Sequence, residues 1–315
     1  MPRIEARVPP GQEGRADRFI SSRLGALSRS QIKARGAELR VNGRAAKLSR
    51  ELKAGDVVEL SWEEEAPMVL EAEDLPLSIL FENHDVLVVN KAQGMVSHPA
   101  AGNWSGTLVN AALGHARRSG SRFNFPSDTS SSALYRPGIV HRLDKDTSGV
   151  IILAKSPQAL AFLAAQFADH SARKRYIAIV HGRPPQPKGL IEGYLARSPS
   201  DRKRFAVSKE GQGKLALTRY RQIRAWGSDY ALLSLEPRTG RTHQLRVHMR
   251  FLGCPILGDP IYGRKDRRFP GASLMLHAYR LRIILPGEKG SRLFTAPLPP
   301  RFSRIIKDLD KEKGC

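Results

Sequence analysis

The sequence predicts an α+β protein built in two folded parts, and three observations carry that expectation. At 315 residues, with 41% hydrophobic and 26% charged, the chain has the length for about two domains and the composition of one that buries a core. Strand-like and helix-like segments alternate over most of its length. The stretch EEEAPMVLEAEDLP, residues 63–76, carries acids but no Lys or Arg and contains Pro67 and Pro76, a break in charge and pattern that reads as a linker. The expected division is a small domain over 15–62, an acidic linker over 63–76, a larger domain over 77–306 and a tail over 307–315.

In the small domain, Ser28 stands where it can cap a helical stretch, RSQIKARG, and Gly36 where it can end it. Arg29 and Lys33, four apart, share one helix face, though such a stripe is often only the solvated side. LRVNGRAAKL sets Asn-Gly between short apolar segments, a hairpin signal because both residues tolerate positive φ, and AGDVVELSW reads as a closing strand. In the larger domain DVLVVNK, RYIAIVHG and YALLSLEPR read as strands. SPQALAFLAAQFADH predicts a helix capped by Ser156, with Pro157 in its first position and apolar residues at Leu160, Leu163, Ala164 and Phe167. Near the C-terminal third, Thr242 is placed to cap a helix that Gly253 ends, with Leu245, Met249 and Leu252 on one stripe and His243, Arg246 and Arg250 on another. The Ser- and Gly-rich run RRSGSRFNFPSDTSSSALYRPG has neither period and is expected to be a mobile loop.

Charge narrows the partners. Against 30 Asp and Glu stand 52 Lys and Arg, a formal net charge of +22 that concentrates polyanions, so nucleic acid is the first partner to expect. No basic amphipathic helix or polybasic tail marks a membrane surface. No apolar run approaches the ~20 residues of a membrane span, and MPRIEARVPP lacks the apolar core of a secretion signal, so a cytoplasmic location is expected. Cys254 and Cys315 make no disulfide framework or zinc cluster, and His243 and His248, five apart with no HExxH pattern, argue against a metal.

One segment concentrates chemistry. GIVHRLDKDTSGVIILAKS, Gly138–Ser156, packs His141, Arg142, Asp144, Lys145 and Asp146 just before the apolar, β-branched run Val150–Leu153, which reads as a strand buried on both faces. A charged loop delivered by a rigid strand is where binding and catalytic groups tend to sit, although a solvated turn of paired ions gives the same pattern. Arginine is the residue suited to fix a carboxylate with a bidentate pair, so an arginine of the helical segment GRTHQLRVHM can be assembled into one site with one of these acids.

Together with VLVVNKAQGMVSHPAAGNWSGTLVNA, RKRYIAIVHG, GCPILGDPIYG and LMLHAYRL, these segments resemble the RluA-type pseudouridine synthases over nearly the whole chain. The HRLD…TSG segment followed by GRTHQLRVH and LGDPIYG carries most of that resemblance. The helix followed by RVNGRAAKLSRELKAGDVVEL is similar to the S4 RNA-binding domain. An S4 domain joined to this catalytic domain is the pattern of the RluD-like branch. What the resemblance implies is a small S4 domain plus a pseudouridine synthase domain of mixed, mainly antiparallel sheet, isomerising specific uridines in large-subunit (23S) ribosomal RNA or a pre-ribosomal particle. By the same resemblance Asp144 is the catalytic aspartate, Tyr176 stacks on the target base and Arg246 partners Asp144. Arg142, with His141 beside it, takes part in extruding the base, and Arg29, Lys33 and Arg35 contact phosphates.

The chemistry is consistent with those roles. Breaking the N-glycosidic bond and rejoining the sugar at the uracil carbon calls for an ionised carboxylate as nucleophile or proton acceptor, a form that a neighbouring cation favours. A uridine within folded RNA must be flipped out, and an aromatic face can replace its lost stacking. The overall reaction consumes no water, redox equivalent or high-energy phosphate, so no cofactor is expected. Asp146 reads as a loop hydrogen-bonder with Thr147 and Ser148, and the protein as a monomer without an obligate protein partner. The rival readings are a transfer-RNA pseudouridine synthase of the same family and a non-catalytic ribosomal RNA-binding assembly factor; an intact Asp144, Tyr176 and Arg246 argue against the latter.

Overall fold

The computed structural model describes residues 2–24, 27, 32, 36–63, 70–99, 103–121, 123, 137–199, 201 and 204–311. The expected cap Ser28, the candidate phosphate contacts Arg29, Lys33 and Arg35, and most of the expected loop over 117–138 lie outside these residues. Residues 117–119 of that stretch are not loop but the last turn of a helix, whose apolar face the Ser- and Gly-rich composition masks. The chain divides into two compact units, with the boundary between Val69 and Leu70.

In the small unit, strands β1 (Arg3–Arg7), β3 (Glu38–Val41), β4 (Arg44–Ala46) and β6 (Val57–Ser61) form an antiparallel sheet in the order β1-β6-β3-β4, while β2 (Gly14–Arg15) pairs with β5 (Glu51–Leu52). Helix α1 (Ala16–Phe19) follows β2 and runs directly into a π-helical turn, Ile20–Leu24. The Asn-Gly turn forms as expected: Asn42 and Gly43 take φ of 52° and 76° between β3 and β4. Asn42 also fixes the neighbouring strand, donating from Nδ2 to Asp56 and accepting the Val57 amide, both at 2.8 Å. The unit reaches further towards the N-terminus than residue 15, because RIEAR pairs along all of β6. Its alternation is weak, partly buried at Ile4 and Ala6 only, which hides it from pattern reading.

The large unit is built on one ten-stranded sheet. Its strands are β7 (Ile79–Glu82), β8 (Val86–Lys91), β9 (Ser148–Ala154), β10 (Arg173–His181), β11 (Lys188–Arg197), β12 (Phe205–Ser208), β13 (Lys214–Trp226), β14 (Tyr230–Pro237), β15 (Leu276–Ile284) and β16 (Ser291–Thr295). The order is β12-β11-β13-β14-β10-β15-β9-β8-β7, with β16 on β15. Every strand pairing described in this sheet is antiparallel except β9 with β15, so the sheet is mixed and mainly antiparallel, as the resemblance implies. Strands β8 and β9 are buried on both faces: Leu87, Val89, Ile151 and Leu153 join one core, and Val86, Val88, Val150 and Ile152 the other. Helices α2 (Leu108–Ser119), α4 (Gln244–Phe251) and α5 (Pro300–Lys311) pack on the first core, and α3 (Pro157–Ala168) on the second. Ser156 caps α3 through the Ala159 amide, with Pro157 in the first position.

The acidic stretch is not a free tether along its whole length. The Glu73 amide donates to the Asn110 carbonyl, Asn110 Nδ2 donates to the Glu71 carbonyl, and the Glu73 carboxylate accepts the Gly106 amide, so residues 70–75 belong to the large unit.

The single parallel pairing places the site. Gly149 sits at its start with φ +116°, and a Cβ there would lie 2.2 Å from the Ala278 carbonyl oxygen. Only glycine lets β9 run this close to β15, and the TSG turn supplies it.

Candidate active site

The charged segment that precedes β9 is a loop, residues 141–147, delivered by that buried strand and bolted from beneath by residues 91–97. Lys91, 1% exposed, donates from Nζ to the carbonyls of Ala92, Met95 and Lys145 at 2.9, 2.7 and 3.1 Å. Gln93 Nε2 donates to the Asp146 carbonyl, and Ser97 Oγ both donates to the Leu143 carbonyl and accepts the Leu143 amide. Burial pulls the Lys91 ammonium down to about 7 against the charges of Asp144 and Asp146, which favour its protonated form. These contacts give the NKAQGMVS segment its purpose. Asp146 binds through its main chain, while Ser148 Oγ meets His277 Nδ1 at 2.8 Å and accepts from Arg301 at 2.6 Å, so the expected carboxylate contacts with Thr147 and Ser148 do not form.

The loop sets Asp144 into a cleft of about 450 Å³. Arg246, from α4, lies against it, with Nη1 3.4 Å from Asp144 Oδ2. That is not its main contact. Arg246 pairs bidentately with Asp259, Nε to Oδ2 at 2.8 Å and Nη2 to Oδ1 at 2.7 Å. Asp259 also accepts the amides of Ile261 and Tyr262 at 2.9 and 3.0 Å. Side-chain exposure separates the two acids: 0% for Asp259 and 20% for Asp144, about the same guanidinium, itself 3% exposed. Burial alone would push the Asp259 carboxyl up, but the guanidinium and the two amides hold it below the usual range, and Asp259 in turn raises Arg246. The expected Asp144–Arg246 pair is therefore one arm of a triad whose anchor is Asp259.

Sequence reasoning misses Asp259 as a site residue, although LGDPIYG carries it. Gly258 takes φ +71° where a Cβ would meet the Ser273 carbonyl oxygen at 2.2 Å, so the turn that aims Asp259 needs glycine there. The same turn places Tyr262, whose ring lies beneath the Arg246 guanidinium at 5.2 Å. Tyr262 Oη accepts the Phe205 amide at 2.9 Å and stands 2.9 Å from His243 Nδ1. His243 Nε2 lies 4.0 Å from Asp144 Oδ2. Burial lowers the basicity of His243, opposed by the Asp144 charge.

Thr242 does not cap α4. The helix begins at Gln244, with His243 at the cap position in the left-handed region, φ 56°, and no side-chain cap. Gln244 explains the difference: its Oε1 accepts from Thr239 Oγ1 and the Arg241 amide, and its Nε2 donates to the Leu217 carbonyl and Thr218 Oγ1. Pinned to β13 in this way, the turn directs the ring of His243 at Asp144.

Tyr176 lies on β10, 9% exposed, and lines the cleft; burial and then the Asp144 charge push its hydroxyl up. Arg142 is exposed at the cleft and makes no hydrogen bond or ion pair with the described residues. His141 is turned inward instead: Nε2 accepts the Ile152 amide at 3.2 Å, its ring stacks on Phe167 at 4.5 Å, and burial takes it down to about 3. A neutral, hydrogen-bonded His141 braces the loop and brings no charge to a phosphate. The structure thus brings Asp144, Tyr176, Arg246, Arg142 and His141 to one cleft.

Residues 85–251 match the family described as RNA pseudouridylate synthase. The ribosomal large subunit pseudouridine synthase D of Borreliella burgdorferi is 43% identical over 303 residues, covering 94% of this chain and 90% of that protein. The protein of the same name from Zymomonas mobilis is 40% identical over 306 residues, covering 94% of this chain and 93% of its own length. Among solved structures, human RNA pseudouridylate synthase domain containing 4 superposes with a TM-score of 0.59 at 25% identity, over 74% of this chain and 93% of that one. The matched span holds the loop, the strand and the helix that build the cleft, and the similarity runs on through nearly all of the chain, which belongs to the RNA pseudouridylate synthases, isomerases that convert uridine in RNA to pseudouridine.

Proposed function

We propose that this protein isomerises specific uridines of large-subunit ribosomal RNA in the cytoplasm, with Asp144 as its catalytic carboxylate. The observation that carries the assignment is the division of labour around Arg246. Its two short bonds go to the fully buried Asp259, which leaves Asp144 only the longer contacts with Arg246 at 3.4 Å and His243 at 4.0 Å, and its carboxylate on the cleft. Of the two acids, only Asp144 is free to meet a ligand; Asp259 is the fixed counter-ion that keeps the guanidinium in place.

In the reaction the bond from C1′ to N1 breaks, the bond from C1′ to C5 forms, a proton leaves C5 and N1 gains one. Asp144 serves this as nucleophile or as proton acceptor. Tyr176 offers its face to the flipped uracil, replacing stacking lost from the RNA. Arg142, unpaired at the cleft and two residues from Asp144, fits the vacancy that the base leaves in the RNA. The small unit acts as an S4-type RNA-binding domain, through the charges of Arg29, Lys33 and Arg35. The ribosomal substrate rests on the names of the Borreliella and Zymomonas proteins and on the +22 net charge.

The test is pseudouridine mapping of total RNA from cells lacking the gene, complemented with wild type or Asp144→Asn. Large-subunit sites that vanish and return only with wild type are the expected result. Missing sites confined to transfer RNA would keep the chemistry and replace the substrate, and restoration by Asp144→Asn would end the assignment of Asp144.

A further inference from the structure

Next to the catalytic cleft lies a second cavity, of about 180 Å³, that the chemistry above does not use. It shares Phe167, His170, Lys174 and Pro237 with the cleft, so the two are continuous past Lys174. Its other walls are strongly cationic. The antiparallel register of β10 and β15 sets Arg173 opposite Arg282 and Arg175 opposite Arg280, and Arg238 follows the end of β14. Like charges directly across a ladder oppose pairing. The one carboxylate on this cavity, Glu236, is already bound to Arg175, Nε to Oε1 at 3.0 Å and Nη2 to Oε1 at 2.8 Å. Arg173, Arg238 and Arg282 make no side-chain hydrogen bond or ion pair with the described residues, and Arg280 Nε is buried without a partner there.

Folding alone does not explain two like-charged cross-strand pairs. Burial, followed by Arg219 and Arg173, lowers Arg238, and burial lowers Lys174, so the protonated forms of both carry a cost in the free protein. An anion in the cavity would remove that cost. Among the described residues on its wall, Phe167 is stacked on His141 and has Lys174 Nζ 5.6 Å from its centre, and His170 is the other ring, so the cavity offers mainly charge and forked donors.

We propose that this cavity is a phosphodiester site for the RNA strand flanking the target uridine, with Arg173, Arg238, Arg280 and Arg282 gripping the backbone as it leaves the cleft past Lys174. The proposal rests on the RNA-modifying reading above and extends it: these residues position the substrate strand and carry no base specificity. Continuity with the cleft and the unpaired charge favour nucleic acid over an acidic protein or lipid.

The experiment uses the full chain with in vitro transcribed, unmodified large-subunit ribosomal RNA. Arg173 and Arg282 are both exposed, so the double variant Arg173→Gln/Arg282→Gln should fold, and without RNA it should melt at or above the wild-type temperature because a repulsive pair is gone. Its Kd at near-physiological salt should rise on the order of tenfold, and its log Kd against log salt should be shallower by about 0.7 to 0.9 for each phosphate no longer neutralised. The rate at saturating RNA should match wild type, and Arg173→Lys/Arg282→Lys should keep most of the affinity and slope. An unchanged Kd and slope in the glutamine variant, a melting temperature below wild type, or an equal loss in the lysine variant would each overturn the phosphate site. A wild-type protein that binds with these slopes yet forms no pseudouridine would instead overturn the functional reading and leave the surface standing.

Discussion

Two aspartates share Arg246, and replacing each by asparagine should have opposite consequences. Asp259 is fully buried and accepts four hydrogen bonds, two from the guanidinium and two from the Ile261 and Tyr262 amides. Asp259→Asn removes the charge and turns one acceptor into a donor that faces donors. Arg246, 3% exposed, keeps at most one hydrogen bond to the remaining amide oxygen and is left with Asp144, 3.4 Å away, as its charged partner. Losing one partner of a buried pair costs about 3–5 kcal/mol. At about 2–4 °C per kcal/mol for a unit of this size, the melting temperature should fall by roughly 6–20 °C. Asp144 is 20% exposed and holds only long contacts while Arg246 keeps Asp259, so Asp144→Asn should cost less than about 1 kcal/mol. Thermal unfolding followed by calorimetry, with single-turnover pseudouridine formation on the same preparations, separates the two. Asp144→Asn should melt like wild type and be inactive. Asp259→Asn should melt far lower and, where still folded, turn over slowly because the released guanidinium closes on Asp144. Melting temperatures for the two variants within about 2 °C of each other would refute the assignment of anchor and reactive acid.

Other consequences can be measured in the same way. Tyr176→Ala should lose the stacking face, about 1–3 kcal/mol or roughly 5- to 150-fold in kcat/KM, while Tyr176→Phe should retain most of it; equal losses in both would remove stacking from the account. Stability should depend on acid through His248 and His277, both fully buried and each held down by burial to about 4. A depressed pKa means that the folded state resists a proton which the unfolded chain accepts near 6.5. Stability is thus fully present above about pH 6.5 and is lost as pH falls towards 4, at about 1.4 kcal/mol per pH unit for each ring. Urea midpoints that stay flat between pH 7 and 5 would contradict this. Gly149→Ala forces a Cβ to 2.2 Å from the Ala278 carbonyl at φ +116°, and should destabilise by more than about 2 kcal/mol in denaturant titration.

Much of this protein is local in its sequence. The unbroken β-branched run of β9 dictates a strand buried on both faces, Asn-Gly dictates the hairpin at residues 42 and 43, and Ser156-Pro157 dictates where α3 begins, because each rests on dihedral preference or on the period of neighbouring residues. The net charge, the charged loop before β9 and the motifs that carry the family resemblance are likewise legible without coordinates. That is enough to place Asp144, Tyr176 and Arg246 in one site.

Tertiary structure decided how that site is wired. Asp144, Arg246 and Asp259 come from three separate segments, and which carboxylate takes the bidentate grip depends on burial, which no spacing reports. His243 faces Asp144 only because Gln244, bonded across to β13, displaces the expected cap at Thr242, and its other ring nitrogen is held by Tyr262. His141, a charged candidate in the sequence, becomes a neutral brace once Ile152 and Phe167 enclose it. The opposed arginines of β10 and β15 are 100 residues and more apart in the chain, and only strand register makes them neighbours. Sequence determines the elements and the chemical inventory, because those are local; pairing, burial and protonation are set by what lies across the fold, because electrostatics and hydrogen bonding act through space.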